Sequence, residues 1–140
     1  MTPHFTLAEL TVTDHRTLDN TPDPAALANL QRLAAFLEKV KELLQFKPIM
    51  VTSAYRSKAV NAACGSRESS QHRLGTAADI RVPGMTPDAV VKAITASGLP
   101  FDQCIREFDS WTHTSIPNAP DAYPRKMVFI IDKAGPRLFS

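Results

Sequence analysis

The strongest structural signal in this sequence of 140 residues is one long helical repeat in its first third. Across residues 25–45 apolar side chains recur at helical spacing, with charged side chains toward the other side. Pro48 then ends the helical segment. This pattern predicts an amphipathic helix against which the shorter elements of the chain must pack.

Shorter patterns complete the predicted secondary structure. A capped helical turn is expected over 5–10, because Thr6 and Glu9 have the spacing of a capping box. The Ser- and Gly-rich stretch 65–75 is expected to be a loop that can carry function. Short helices are expected over 57–63 and 86–97, and strands over 49–52, 79–82, 103–107, 111–116 and 126–131, the first of these strands buried. This order predicts a single α+β domain over residues 1–140, with helices packed on a mainly antiparallel sheet.

Composition excludes several classes of protein. The chain has 44% hydrophobic and 21% charged residues and a formal charge of +2, which is typical of a globular protein. It has no dense basic run, and no stretch reaches the roughly 18 apolar residues of a membrane helix. The first residues lack the features of a signal peptide, so synthesis in the cytoplasm is expected. We expect a monomer that binds neither nucleic acid nor membrane, with Cys64 and Cys104 as reduced thiols.

His72 and His113 lie in segments that suggest a shared role. A catalytic zinc ion takes three protein ligands, commonly two histidines and a carboxylate, and leaves a fourth position for water. His72 and Asp79 would lie about 10 Å apart along a helix, so the segment must bend, and Gly75 supplies the bend. Taken alone, this spacing also fits a glycine turn that carries a solvated histidine.

The position of a general base follows from the geometry around His113. Along one extended strand, Glu107 and His113 would lie about 20 Å apart. A three-residue turn between them would pair Glu107 with Trp111 and bring Glu107 to about 7 Å from His113 on the same face. That span accommodates a carboxylate, water, zinc and imidazole in sequence. Asp109 would lie at the tip of the turn and is the less favourable alternative base.

Three motifs in this chain match one enzyme family. Residues 70–79 match the signature SxHxxGxAxD in full, and Glu107 and His113 match a later Glu-x5-His element. Residues 52–57 are similar to a Ser-x-Tyr-Arg-Ser segment. In these motifs the chain resembles the LAS group of zinc peptidases, the D-Ala-D-Ala carboxypeptidase and endopeptidase family, which shares its fold with the hedgehog signalling domain. The opening turn and the long helix are similar to a phage and prophage branch of this family.

The resemblance implies roles for the residues in these motifs. His72, Asp79 and His113 would bind Zn²⁺, and Glu107 would act on water. Arg56 matches an arginine that family members direct at the substrate. It would either stabilise an oxyanion or hold a substrate carboxylate by a bidentate pair.

Four further residues are candidates near the substrate. Ser70 and Gln71 either contact the substrate or shape their loop. Trp111, on the same strand face as His113, either forms a wall of the cleft or belongs to the core. Cys64 is expected near the cleft without a catalytic role, because no further histidine is available to activate it.

The resemblance also implies a function. The chain would be a zinc-dependent peptidase that hydrolyses stem or cross-link peptides of bacterial peptidoglycan. Without a signal peptide it would reach the cell wall after release or by virion delivery, as an endolysin-like or virion-associated protein. The alternative is a non-catalytic zinc-bearing module that binds the wall or another protein, and the presence of Glu107 beside the ligands favours the enzyme.

Overall fold

The computed structural model of this protein describes residues 1–139 and has an α+β architecture. The helices are α1 (Leu7–Leu10), α2 (Pro24–Leu43), α3 (Lys58–Ala63), α4 (Gln71–Leu74) and α5 (Pro87–Ala96). The strands are β1 (Met50–Ser53), β2 (Ala77–Arg81), β3 (Gln103–Glu107), β4 (Trp111–Ser115), β5 (Met127–Asp132) and β6 (Gly135–Leu138). They form one six-stranded sheet in the order β1-β2-β4-β3-β5-β6. Only β3 and β5 run parallel among the pairs in residues 1–139, so the predicted fold class is confirmed.

Helix α2 supplies the largest apolar face for the sheet. It begins one residue earlier than predicted, because the Asp23 side chain accepts a hydrogen bond from Ala26 N and Pro24 occupies the first turn. It ends at Leu43, before two residues in the left-handed region, Gln45 and Phe46. Its buried side chains are Ala26, Leu30, Leu33, Ala34, Phe36, Leu37 and Val40, and they join the main hydrophobic core.

The opening turn positions the segment that carries Arg56. The predicted capping box is present, with Glu9 N donating to the Thr6 hydroxyl. Leu10, at the end of α1, is fully buried, and its carbonyl accepts a hydrogen bond from Tyr55 N at 2.9 Å. Asn20 Nδ2 donates to Tyr55 O at 3.0 Å, so the chain before Arg56 is held from two sides.

Two predictions of local structure are corrected, and one strand was not predicted. The strand predicted over 49–52 is buried only at Ile49: within residues 1–139, β1 pairs with β2 alone, so it is an edge strand, and Met50 is 55% exposed. The stretch 65–75 is not loop throughout, because α4 forms within it. No sequence pattern predicts β6, since Gly135–Leu138 has no alternation of apolar residues and contains a proline.

The hairpin of β3 and β4 has the predicted register. Glu107 pairs with Trp111, and Ile105 pairs with His113 across a turn of three residues. Phe108 and Asp109 adopt positive φ in this turn, at 52° and 54°. On its other side β4 pairs with β2, which places Asp79 directly opposite His113.

Within residues 1–139, no helix is both long enough and apolar enough to cross a bilayer. That residues 1–140 form a single domain stays a prediction.

Candidate metal centre

His72, Asp79 and His113 form a buried cluster on one face of the sheet. Their candidate ligand atoms all lie within 4.8 Å of one another. Asp79 Oδ1 is 3.1 Å from His113 Nδ1 and 3.3 Å from His72 Nε2. The structure therefore brings together residues of α4, β2 and β4, although His113 lies 34 residues from Asp79 in sequence.

A short helical turn presents His72 to the strands. The Ser70 hydroxyl accepts a hydrogen bond from His72 N at 3.2 Å, and Gly75 ends α4 at φ 79°. Arg56 N donates to His72 O at 2.9 Å. The predicted bend at Gly75 is thus confirmed, and it allows Asp79 to lie beside His72.

The second nitrogen of each histidine ring faces an oxygen acceptor. His72 Nδ1 lies 2.7 Å from Ala54 O, and because a carbonyl only accepts, this nitrogen carries the ring proton. His113 Nε2 lies 3.2 Å from Gln103 Oε1. In the neutral ring, His72 Nε2 then presents a lone pair to the carboxylate of Asp79. His113 Nδ1 does the same when the proton of its ring is on Nε2.

A cation fits this arrangement of atoms. An imidazole nitrogen that carries a lone pair repels the carboxylate oxygen it faces. The repulsion is relieved when a cation lies between the two atoms or when the nitrogen carries a proton. Two imidazole nitrogens and a carboxylate oxygen are the ligand set of many catalytic zinc sites. The acceptors behind the rings also agree with a metal site, since ligating histidines usually donate their other N–H to an oxygen.

The charge state of Asp79 suits a ligand. Burial alone would raise the pKa of Asp79, but His72 and His113 outweigh it and hold the pKa well below its usual range. Asp79 is therefore ionised at neutral pH, which is the form that binds a metal.

Glu107 lies at the edge of the cluster on β3. Its Oε1 is 4.0 Å from His113 Nδ1, and its Oε2 accepts a hydrogen bond from Trp111 Nε1 at 2.9 Å. Burial, together with the nearby charge of Asp79, raises the pKa of the Glu107 carboxyl. Asp109 is exposed at the turn of the hairpin.

Arg56 approaches Asp79 from the side of α3. Its Nη2 lies 3.4 Å from Asp79 Oδ2, the carboxylate oxygen that does not face the histidines. Its Nε donates to the Ser53 hydroxyl at 3.1 Å, and its Nη1 donates to the Ser66 hydroxyl at 3.0 Å. These contacts aim the guanidinium at the cluster.

An open cleft of about 370 Å³ lies over these residues. Every predicted site residue except Gln71 lines it, and Cys64, Ser66 and Phe108 line it as well. The ring of Phe108 lies 6.1 Å from that of Trp111, so the two aromatic residues form one wall. Cys64 is exposed in the cleft, as expected, and both cysteines are free thiols.

The family model of peptidase M15 matches residues 3–115. This match covers more than half of the 140 residues. The chain belongs to the peptidase M15 family. M15 peptidases are zinc-dependent, and the candidate ligands His72, Asp79 and His113 of this M15 chain agree with that metal. The matched region extends through β4 and so includes the whole cluster. No curated protein matches this M15 chain.

Gln71 of the M15 chain does not line the cleft. Its side chain is buried, and its Nε2 lies 3.1 Å from Asp102 Oδ2, 3.0 Å from Ile116 O and 2.8 Å from Asn118 Oδ1. These contacts connect α4 to the chain after β4. They support the alternative in which Gln71 shapes its loop.

Ala54 and Gln103 face the cluster, although Ala54 is only the unspecified position of the Ser-x-Tyr-Arg-Ser segment and Gln103 lies outside the motifs. Ala54 acts through its backbone carbonyl, which leaves no trace in the type of residue. Gln103 could have been found from strand alternation, because it shares a face of β3 with Glu107. No such signal shows that its side chain reaches His113.

Proposed function

We propose that this M15 chain is a zinc peptidase that hydrolyses peptide bonds in stem or cross-link peptides of bacterial peptidoglycan. One observation carries the proposal. The buried cluster of His72, Asp79 and His113 has a carboxylate, Glu107, with an oxygen 4.0 Å from His113 Nδ1. A ligand set with an adjacent base supports catalysis, whereas a binding module needs no such base.

The metal would be held by His72 Nε2, His113 Nδ1 and the carboxylate of Asp79. When bound, zinc supplies a Lewis acid that polarises a substrate carbonyl and lowers the pKa of water. The remaining steps belong to the side chains of the chain itself.

Glu107 would act as the general base. The Trp111 indole occupies its Oε2, so Oε1, the oxygen nearer His113, is the one available to accept a proton from the attacking water. The raised pKa of Glu107 makes it a stronger base than an ordinary glutamate, and it could return the proton to the leaving amine.

Arg56 would act on the substrate from the opposite side of the cluster. Its contacts with Ser53 and Ser66 fix the guanidinium beside Asp79, where it could stabilise an oxyanion or bind a substrate carboxylate. Ser70 and Trp111 line the same cleft and are proposed to contact the peptide.

Family membership supports peptidoglycan peptides as the substrate class. The similarity of the opening turn and long helix to phage members supports an endolysin-like or virion-associated role. External addition of the protein to intact and to outer-membrane-permeabilised bacteria tests that role, with loss of turbidity as the expected result.

The catalytic proposal is tested by Glu107→Gln, which keeps the size and hydrogen-bonding capacity of the side chain but cannot accept the proton. Zinc content and unfolding temperature should stay at the parent values, while release of new amine termini from peptidoglycan falls by about 10² or more. Asp109→Asn, at the exposed turn, is the matched control and should retain the parent rate. An inactive Asp109→Asn variant together with a fully active Glu107→Gln variant would show that Glu107 is not the general base.

The metal site is tested separately by removing one ligand at a time. His72→Ala, Asp79→Ala and His113→Ala should each sharply lower zinc occupancy, measured by elemental analysis of protein purified without added zinc. His4→Ala is the control, because His4 pairs with Glu38. Full zinc stoichiometry in all three ligand variants would reject the site. A parent that binds zinc and wall fragments but cleaves none of a panel of cross-linked peptides would favour the non-catalytic module.

A further inference from the structure

We propose that Gln103 is a positioning residue of the metal centre, which accepts the proton of His113 Nε2 and so keeps Nδ1 available to the metal. The inference rests on the zinc site proposed above and adds to it a residue outside the motifs. The neutral ring of His113 has two forms, with its proton on Nδ1 or on Nε2, and Gln103 favours the second.

The backbone brings Gln103 beside His113. Ile105 pairs with His113 across the hairpin, and alternation along β3 places Gln103 on the same face, diagonally opposite the histidine. The side-chain Oε1 of Gln103 lies 3.2 Å from His113 Nε2. Gln103 N also donates to the Ser115 hydroxyl at 2.9 Å, so the main chain at this position is fixed independently of the side chain.

The two forms of the His113 ring have opposite consequences for the metal. A neutral imidazole carries one proton, on either nitrogen. A proton on Nδ1 would point at Asp79 Oδ1, 3.1 Å away, and would make a charge-assisted hydrogen bond. That form is stable but cannot ligate, because its lone pair faces away from Asp79. Without an acceptor at Nε2, this form therefore competes with the metal.

Gln103 opposes that competition. Its oxygen accepts a hydrogen bond from a proton on His113 Nε2 and so stabilises that form, in which the Nδ1 lone pair is directed at the cluster. Loss of such an acceptor behind a ligating histidine typically weakens metal binding by about 10–100-fold. The effect falls on metal affinity first and on turnover only through it.

The two histidines differ in the group that faces the second nitrogen of the ring. Ala54 O, a backbone atom, accepts the proton of His72 Nδ1 at 2.7 Å, and no substitution removes that carbonyl. For His113 the same task falls to a side chain. Gln103 is thus the position at which the proton of a ligating ring can be altered by a single substitution.

The experiment measures zinc affinity of the full chain by competition with a chromophoric chelator. Gln103→Met removes the acceptor at similar length and should weaken zinc binding by about 10–100-fold. Gln103→Glu has oxygen acceptors only and should bind zinc at least as tightly as the parent. This rescue separates positioning from packing, because a merely structural role would not distinguish an acceptor from a thioether. Gln31→Met, on the exposed face of α2, is the control and should keep the parent affinity.

Parent affinity in Gln103→Met, or equal weakening in Gln103→Met and Gln103→Glu, would overturn the inference. Should Gln103→Met fail to fold, the affinity of Gln103→Ala decides in its place. The outcome is distinct from that of the proposed function: a parent that binds no zinc refutes the zinc peptidase itself, whereas a tight parent with an equally tight Gln103→Met refutes only the role of Gln103.

Discussion

Replacing Gly75 by alanine should be the most damaging small substitution in the signature around the metal centre. Gly75 ends α4 at φ 79°, and a Cβ there would lie 2.9 Å from Ala26 O and 3.1 Å from Leu30 Cγ. The nearer atom belongs to the backbone of α2, which cannot move aside as a side chain end could. Gly98 ends α5 at nearly the same φ, 78°, but nothing lies within 4 Å of its would-be Cβ.

The pair of glycines separates two costs. A left-handed conformation costs an alanine about 1–2 kcal/mol, and both variants carry that cost. Only Gly75→Ala adds overpacking against α2, which costs about 1–3 kcal/mol. We therefore expect Gly98→Ala to lose about 1–2 kcal/mol of unfolding free energy and Gly75→Ala about 2–5 kcal/mol. For a chain of 140 residues, each kcal/mol corresponds to about 3 °C in Tm.

Urea unfolding of both variants and the parent measures these losses. Zinc affinity provides a second measurement, because displacement of α4 also displaces His72. Gly75→Ala should bind zinc more weakly than the parent, and Gly98→Ala should bind it equally well. Equal losses of unfolding free energy in the two variants, within about 0.5 kcal/mol, would show that the close approach of α4 to α2 is not what requires glycine.

Trp111→Phe keeps an aromatic wall but removes the hydrogen bond to Glu107, so kcat should fall by about 10-fold with zinc content unchanged. An unchanged kcat would show that the Trp111 indole does not position Glu107. Arg125→Met should lower the unfolding free energy by about 1–3 kcal/mol at neutral pH, because Arg125 donates hydrogen bonds to the buried Asp102. Burial alone would raise the pKa of Asp102, but Arg125 outweighs it and lowers that pKa. The stabilisation is therefore complete above about pH 4 and lost as pH falls through the lowered pKa, so urea unfolding should show a deficit that shrinks in acid. Thr86→Ala removes the N-cap of α5 and should cost about 1 kcal/mol in the same assay, whereas Thr86→Ser should cost little.

The sequence predicts the β3–β4 hairpin and the bend after His72 because the determinants of both are local. A three-residue turn sets the register of β3 and β4, so the spacing of Glu107 and His113 alone placed both on one face. The bend at Gly75 likewise follows from four residues of chain. Each of these features depends on neighbours in sequence.

The features that sequence patterns missed depend on distant pairing. The edge position of β1 follows from the order of strands in the sheet. The sequence of the four residues of β1 does not predict that order. The burial of Gln71 depends on Asp102 and on the chain after β4. The approach of Gln103 to His113 likewise depends on a side-chain conformation rather than on residue type.

The last hairpin of the chain, β5 and β6, protects the edge of the sheet and carries no candidate site residue. All three candidate ligands and Glu107 precede residue 115, whereas β5 and β6 follow it and carry none of them. Without β5, the outer edge of β3 would offer unpaired N–H and C=O groups beside Glu107, a template for association with other chains. The last hairpin therefore covers the edge of the strand that carries Glu107.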